Sequence, residues 1–242
     1  MSSNTDRLFY SDNHIKIFNG DCKSMYELRD ESVQMVCTSP PYWGLRKYAG
    51  KQELIWGGDP NCGHQWQHDA YGAMGSGTIT IRKNALQDKH SLKRKDTHSQ
   101  FCSLCNAWQG AYGLEPTPEM YIEHTIQILR EIRRVLRKDG VVFWNIGDSY
   151  SAQRWSGKEQ GQPMNKYRDG YRDINPVRIT NLPPKNLCLI PFRVAIAAQE
   201  DGWWVRSVII WNKPNPMPES VTDRPTESHE YILMLTKSAR YY

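Results

Sequence analysis

The sequence predicts an α/β fold with a mostly parallel, doubly wound sheet, and two apolar runs flanking a helical pattern predict it. Residues 33–37 are short, apolar and rich in β-branched side chains, as in a buried strand. Residues 117–138 have the apolar spacing of a helix with one buried face, and residues 141–146 are a second apolar run. A strand, a helix and a strand in this order form a crossover between parallel strands. We therefore expect helices on both faces of the sheet.

Shorter elements are predicted ahead of the first buried run. Residues 7–10 and 14–19 alternate apolar and polar side chains, which indicates one or two strands. The pair Gly20-Asp21 ends that run, and residues 24–28 have the pattern of a short helix.

The long helix has clear signals at both ends. Thr117 is a favourable N-cap, Pro118 suits the first helical position, and Glu119 is an acid in the first turn. Basic side chains crowd the other end, and Asp139-Gly140 ends the helix. Further along, residues 186–200 predict a helix, and residues 203–211 and 231–235 predict strands.

Composition limits the partners and the setting. The 242 residues include 31 basic and 26 acidic side chains, a net charge of +5 that permits a polyanionic partner. The chain contains no apolar run of about 18 residues, so no membrane span is predicted. Its start is polar and unlike a signal peptide, and its six cysteines fit a reducing, cytoplasmic setting.

A stiff arm follows the first buried strand. Each proline of Ser39-Pro40-Pro41-Tyr42 fixes φ, lacks an N–H and forces the preceding residue into an extended conformation. Such an arm presents the Ser39 hydroxyl and the Pro40 carbonyl as two fixed acceptors beside the ring of Tyr42. Two acceptors and an aromatic face suit the exocyclic amine of a nucleobase. An ordinary Pro-Pro turn with an exposed tyrosine is the alternative.

The segment Thr38-Ser39-Pro40-Pro41-Tyr42 resembles the catalytic motif of the DNA amino-methyltransferases, which methylate cytosine N4 or adenine N6. Ser-Pro-Pro-Tyr is the form most associated with cytosine N4, and Asp or Asn in place of Ser39 is commoner in adenine enzymes. Segments at 18–21, 147–150, 210–214 and 227–231 are also similar to this family.

The resemblance implies a Rossmann-like methyltransferase fold, S-adenosylmethionine as cofactor and double-stranded DNA as partner. Ser39, Pro40, Pro41 and Tyr42 would be catalytic, with the target base flipped out of the duplex to stack on Tyr42. Asp21 and Thr38 would lie on the cofactor side, although a turn cap explains Asp21 equally well. A prokaryotic or phage-like restriction-modification setting follows from the same resemblance.

Residues 57–113 look like an insertion between a catalytic N-terminal part, residues 1–56, and the rest of the catalytic half, residues 114–242. The insertion is poor in apolar side chains and contains two close ligand pairs, Cys62-x-His64 and Cys102-x-x-Cys105. Two such pairs suit a four-coordinate structural zinc site, which would hold a segment that has little core of its own. Free thiols or a redox pair, and ligation by other histidines of the insertion, are the alternatives.

Two stretches are basic. Residues 82–95 carry six lysines and arginines, and residues 151–185 combine a local net charge of +4 with interleaved aromatic side chains. Both are candidates for contact with the DNA backbone, and solvated loops are the alternative.

A family element is missing. In the β-class order of motifs, the catalytic block comes first and a glycine-rich cofactor loop follows near the C-terminus, yet the chain shows no such loop after residue 230. The chain is therefore expected to be C-terminally incomplete, as a truncated, split or decayed enzyme. A second polypeptide or a missing C-terminal segment would then carry the cofactor loop, and a DNA-binding remnant is the alternative to an active enzyme.

Overall fold

The computed structural model describes residues 7–45, 48, 52–68, 98–151 and 182–242. The chain divides into two compact units, one formed by Met1–Gly50 and Tyr112–Tyr242 and the other by Lys51–Ala111. The basic residues 82–95 and most of the basic stretch 151–185 lie outside the described residues.

The first unit begins with two short strands and an edge strand. Strands β1 (Leu8–Ser11) and β2 (Lys16–Phe18) pair in antiparallel fashion, and β3 (Val33–Thr38) follows, so these predicted strands are confirmed. The predicted helix at residues 24–28 is wrong, because this stretch forms turns. Its backbone is held by the long helix instead: Met25 N donates to Glu131 Oε1 at 2.7 Å, and Arg134 donates to the Met25 carbonyl at 2.8 Å.

The described part of the second unit contains four short strands that periodicity did not predict. They are β4 (Leu54–Trp56), β5 (Trp66–His68), β6 (His98–Cys102) and β7 (Trp108–Gly110). These strands form one sheet in the order β4-β7-β6-β5. Each spans only three to five residues, too few to show an alternating pattern in the sequence.

The long helix α1 (Pro118–Val135) begins where the sequence predicts. The Thr117 side chain accepts from Met120 N at 3.2 Å, which satisfies one free donor of the first turn. The helix ends earlier than predicted, because Leu136 is fully buried and already begins strand β8 (Leu136–Ile146). Leu136 pairs with Val33, and the register then shifts before Val141 pairs with Met35. Arg137 and Lys138 therefore lie in an irregular part of β8 and do not extend the helix.

The main sheet is mixed. Helix α2 (Ile190–Glu200) leads to strand β9 (Trp204–Asn212), and β10 (His229–Thr236) completes the strand order β3-β8-β10-β9. Strand β3 is parallel to β8, whereas β10 is antiparallel to both β8 and β9. The α/β class is confirmed, but the prediction of a mostly parallel sheet is wrong for the described strands. The segment 213–228 contains no crossover helix, so the chain returns in the opposite direction.

The two helices of the described residues lie on one face of this sheet, so the prediction of helices on both faces is wrong for this part of the chain. Their crossovers, β3 to β8 and β8 to β9, advance in the same direction along the sheet, and right-handed crossovers then place both helices on the same side. Consistent with this, α1 and α2 pack against each other. Within the described residues, no helix is long and apolar enough to cross a membrane.

Leu233 tests the core of the main sheet. This side chain is fully buried in β10, and Leu233→Ala should lower the free energy of unfolding by about 2–5 kcal/mol because it leaves a cavity. Urea denaturation followed by circular dichroism measures the change. Ile210→Ala in β9 is the control, since Ile210 is 55% exposed. Equal losses for the two variants would contradict this assignment of the core.

Candidate functional site

The proline arm leaves the carboxyl end of β3 and is held by side chains of the same unit. Trp43 is buried, and its Nε1 donates to the Glu115 carbonyl at 3.0 Å. The Tyr121 hydroxyl of α1 donates to the Pro41 carbonyl at 3.0 Å. These two hydrogen bonds fix the position of the arm between β3 and α1, although its prolines cannot donate backbone hydrogen bonds.

A glycine and a buried carboxylate support the arm from below. Gly113 has φ +91°, and a Cβ there would lie 2.9 Å from the Pro41 Cβ, so only glycine fits. The fully buried Glu115 accepts from Gly113 N at 2.8 Å and contacts His124 Nδ1 at 3.0 Å. Sequence reasoning missed this support, because it assigned Gly113 to the insertion and did not single out Glu115.

Tyr42 is fixed at both its ring and its hydroxyl. A Cβ on Gly147 would lie 2.9 Å from two carbons of the Tyr42 ring, so the ring packs closely on that glycine. The Tyr42 hydroxyl donates to Glu230 Oε2 at 2.7 Å and lies 3.2 Å from Ser39 Oγ. Burial raises the pKa of Tyr42 well above its ordinary value, and the Glu230 carboxylate adds to this shift. Tyr42 therefore keeps its proton at neutral pH.

Glu230 is the charged centre of this cluster. Besides Tyr42, Asn145 Nδ2 donates to its Oε2 at 3.1 Å, and Lys213 Nζ forms an ion pair with its Oε1. Partial burial opposes ionisation, but the hydrogen bonds from Lys213, Tyr42 and Asn145 outweigh it and lower the pKa of Glu230. The sequence marked the 227–231 segment only by resemblance and gave Glu230 no role.

Two cavities meet at Tyr42. The smaller, about 260 Å³, is lined by Ser39, Pro40, Tyr42, Leu45, Tyr48 and Glu230. The larger, about 360 Å³, shares Tyr42, Leu45 and Glu230 and extends along Asp148, Tyr150, Lys213 and Arg224. The larger volume falls within the range of small-ligand sites, and the smaller one is just below it. Both open at the carboxyl ends of the parallel strands, the edge at which α/β sheets bind ligands.

Comparison with known sequences identifies the family. The model of N6_N4_Mtase, described as DNA methylase, matches residues 33–242. This chain belongs to the N6/N4 DNA methylase family. The family predicted from Ser-Pro-Pro-Tyr is therefore confirmed, and the matched range contains Ser39, Tyr42 and Glu230.

Individual relatives of this chain are named as type II methyltransferases. M.SmaI of Serratia marcescens is 35% identical over 231 residues, covering 94% of this chain and 57% of the relative. M.Cfr9I of Citrobacter freundii is 33% identical over 231 residues, covering 95% and 57%. The chain thus spans little more than half the length of these relatives. Among solved structures, the cytosine-N4-specific PvuII DNA methyltransferase superposes with a TM-score of 0.47 at 13% identity, covering 93% of this chain and 49% of that one.

Asp148 follows β8 and lines the larger cavity. Its Oδ1 accepts from Ser149 N at 2.8 Å and from Ile190 N at 3.0 Å, which caps α2. Its Oδ2 is buried and has no hydrogen-bond partner among the described residues. Burial raises the pKa of Asp148.

The two predicted cofactor residues occupy different surroundings. Thr38 is the last residue of β3 and directly precedes Ser39. Asp21 Oδ1 accepts from Lys23 N at 2.9 Å, and its Oδ2 lies 3.5 Å from Lys23 Nζ. Asp21 therefore caps its own turn, and a cofactor role for either residue stays a prediction.

The four predicted metal ligands come together in the second unit. The ligand atoms of Cys62, His64, Cys102 and Cys105 all lie within 4.8 Å of one another. Cys62 Sγ is 3.9 Å from Cys102 Sγ, and Cys105 Sγ is 3.3 Å from His64 Nδ1. His64 also stacks on Trp66, with ring centroids 5.1 Å apart.

Tyr121→Phe tests the support of the arm. Loss of the hydroxyl leaves the Pro41 carbonyl without this donor, so the free energy of unfolding should fall by about 1–2 kcal/mol. Chemical denaturation measures the loss. Tyr10→Phe is the matched control, because Tyr10 lies on the exposed strand β1, its hydroxyl donates to Asp12 just after that strand, and the loss of this exposed bond should cost little. If both variants unfold like the unaltered protein, the hydroxyl does not hold the arm.

Proposed function

We propose that this chain carries the base-binding and catalytic part of an S-adenosylmethionine-dependent DNA methyltransferase that acts on an exocyclic amine, most favourably cytosine N4. One observation carries the proposal: Ser39 and Pro40 line a cavity together with Tyr42 and Glu230, whose pKa is lowered, at the carboxyl end of β3. A cavity rich in acceptors suits a group that brings two N–H donors.

The chemistry requires these acceptors because an exocyclic amine is a poor nucleophile. Its lone pair is delocalised into the base, and hydrogen bonds from its two N–H groups to Ser39 Oγ and the Pro40 carbonyl favour a pyramidal nitrogen. The lone pair is then available for in-line displacement. S-adenosylmethionine supplies the methyl group as a sulfonium when it is bound. Thr38 would adjoin it from the end of β3, and Asp21 from the turn after β2.

Double-stranded DNA is the proposed partner, in a prokaryotic or phage setting and within the cytoplasm. The relatives named above are type II methyltransferases of bacteria, which favours a restriction-modification role. The target base would leave the duplex to reach the cavity, at a cost of a few kcal/mol that stacking on Tyr42 offsets. A net charge of +5 favours the approach to a polyanion.

Two alternatives are distinguishable. An adenine N6 methylase would use the same acceptors, and Ser39 in place of an acidic residue is what favours cytosine. A DNA-binding remnant would bind DNA but transfer no methyl group. Because the relatives are longer than the matched stretch, the assays use the longest polypeptide that the gene encodes, together with any polypeptide encoded beside it.

Tyr42→Ala separates catalysis from binding. Removing the ring and its hydroxyl should lower the single-turnover rate of methyl transfer to DNA by about 100-fold or more, because the base loses its oriented position. The dissociation constant for DNA should change by less than about tenfold, since phosphate contacts dominate affinity. Radiolabelled methyl transfer and fluorescence anisotropy measure the two effects.

Tyr241→Ala is the control, as this tyrosine packs on Arg206. Equal losses of rate and affinity in the Tyr42 variant would make the ring a binding surface only. Mass spectrometry of nucleosides from the methylated DNA identifies the product. N6-methyladenine in place of N4-methylcytosine would overturn the choice of base.

We further infer that Cys62, His64, Cys102 and Cys105 bind a structural zinc ion. A tetrahedral ion with Zn–S of about 2.3 Å and Zn–N of about 2.0–2.1 Å separates two sulfur ligands by about 3.8 Å, and sulfur from nitrogen by about 3.5 Å. The corresponding distances of 3.9 Å and 3.3 Å match this geometry. Four protein ligands close the coordination shell, so the ion would hold the short strands of this unit together and perform no chemistry.

Cys105→Ser tests the zinc site. The purified full chain should contain about one zinc per molecule, and the variant should lose most of it, because a neutral hydroxyl replaces a thiolate ligand. Inductively coupled plasma mass spectrometry measures the metal. Cys22→Ser is the matched control, since Cys22 is a free cysteine outside the cluster. A metal-free parent protein, or equal zinc in both variants, would end the proposal.

A further inference from the structure

The hydrogen bonds around Tyr42 have a direction. An ionised carboxylate can only accept, and a tyrosine hydroxyl has one proton, so the 2.7 Å contact commits the Tyr42 proton to Glu230. The 3.2 Å contact between Ser39 Oγ and the Tyr42 oxygen must then be donated by Ser39. Ser39 gives its proton toward Tyr42, and Tyr42 gives its proton toward Glu230.

This direction leaves Ser39 as an acceptor on its remaining side. Ser39 is exposed at the smaller cavity, and a hydroxyl that already donates its proton offers only lone pairs to a ligand there. An amine N–H in the cavity would therefore add one more donor to this series of hydrogen bonds. The complete order would be amine, Ser39, Tyr42 and Glu230, with every donor pointing toward the carboxylate.

We infer that Glu230 is the terminal proton acceptor of methyl transfer, reached from the amine through Ser39 and Tyr42. This inference rests on the proposed function. As the N–CH₃ bond forms and the methyl–sulfur bond breaks, positive charge develops on the nitrogen. The hydrogen bonds through Ser39 and Tyr42 then provide a path for the excess proton toward the Glu230 carboxylate. One N–H proton then passes to Ser39 Oγ, the Ser39 proton to Tyr42 and the Tyr42 proton to Glu230, which becomes a neutral acid while both hydroxyls are restored.

The surroundings suit each group to its place in this chain. Lys213 and Asn145 keep Glu230 ionised before the reaction, so an empty proton site is ready. Burial keeps Tyr42 protonated, so its hydroxyl relays a proton and does not act as a separate base. Asp148 lies at the other cavity, and its Oδ1 is occupied by two backbone N–H groups.

Glu230→Gln tests the inference, because an amide still accepts a hydrogen bond from Tyr42 but takes up no proton. In the longest polypeptide that the gene encodes, the single-turnover rate of methyl transfer should fall by about 10²–10⁴-fold. The pKa of Glu230 is held below its ordinary value, so the unaltered protein should have a flat rate from about pH 6 to about pH 9. The residual rate of the variant should instead rise with pH, because solvent must then take the proton.

Tyr42→Phe interrupts the same series of hydrogen bonds while keeping the aromatic ring. Its rate should fall by a similar factor, and the double variant with Glu230→Gln should be no slower than the slower single variant, as expected for residues that act as a unit. DNA affinity should stay within about threefold of the unaltered protein in all three variants. Asp201→Asn is the control, since it removes another ion-paired carboxylate, the partner of Arg130 at the end of α2.

A measurement without activity checks the charge of Glu230. A carboxylate with a lowered pKa stabilises the fold above its unfolded pKa, and that stability is lost as pH falls through the folded pKa. The difference in melting temperature between the unaltered protein and Glu230→Gln should therefore be largest near pH 7 and shrink below about pH 4. A difference that does not depend on pH would contradict an ionised Glu230.

The outcomes separate this inference from the function on which it rests. If the unaltered protein transfers no methyl group, the proposed function fails and the proton path fails with it. If the unaltered protein is active and Glu230→Gln stays within about threefold of its rate with a flat pH profile, the proton path is wrong and the proposed function stands.

Discussion

The arm of two prolines cannot hold itself in place, and the site depends on how the rest of the unit does so. Pro40 and Pro41 have no N–H, so the backbone between Ser39 and Tyr42 makes no ladder of its own. A buried hydroxyl and a buried indole fix it instead, with Tyr121 donating to the Pro41 carbonyl and Trp43 donating to the Glu115 carbonyl. The arm is stiff because its flanks are packed, so Ser39 and Pro40 are held at the smaller cavity before any ligand arrives.

The antiparallel direction of β10, which the sequence did not predict, is what brings a carboxylate to this arm. Parallel strands place their carboxyl ends at the ligand edge, so residues at their amino ends lie at the opposite edge. Strand β10 runs the other way, and Tyr231 pairs with Ile146 near the carboxyl end of β8. Glu230, second in β10, therefore lies at the ligand edge beside Tyr42, 188 residues away in the chain. A fully parallel sheet would have put this residue at the far side.

Local chemistry could be predicted from the sequence, whereas long-range support could not. Ser39 to Tyr42 are adjacent, so a shared role could be predicted for them, and each of the two predicted metal-ligand pairs is close in sequence. Gly113 gave no such signal, because the need for glycine there is a tertiary effect. A Cβ on Gly113 would lie 2.9 Å from the Pro41 Cβ, and Pro41 is distant in the sequence. The helix predicted at residues 24–28 failed for the same reason: Glu131 and Arg134 of α1 bind its backbone, and tertiary contacts override propensity. The strands of the second unit were too short for any pattern to appear.

Glu230 and Asp148 are two of the carboxylates that line the larger cavity beside Tyr42, and their surroundings shift their pKa values in opposite directions. Glu230 receives donors from Lys213 and two neutral groups, so its pKa falls. Asp148 is buried, its Oδ2 has no described partner, and its pKa rises. Two carboxylates whose pKa values are shifted in opposite directions can serve different roles at the same pH. Of these two carboxylates, only Glu230 also lines the smaller cavity, so a cation that develops in the proposed methyl transfer would be stabilised on the Ser39 side of the tyrosine.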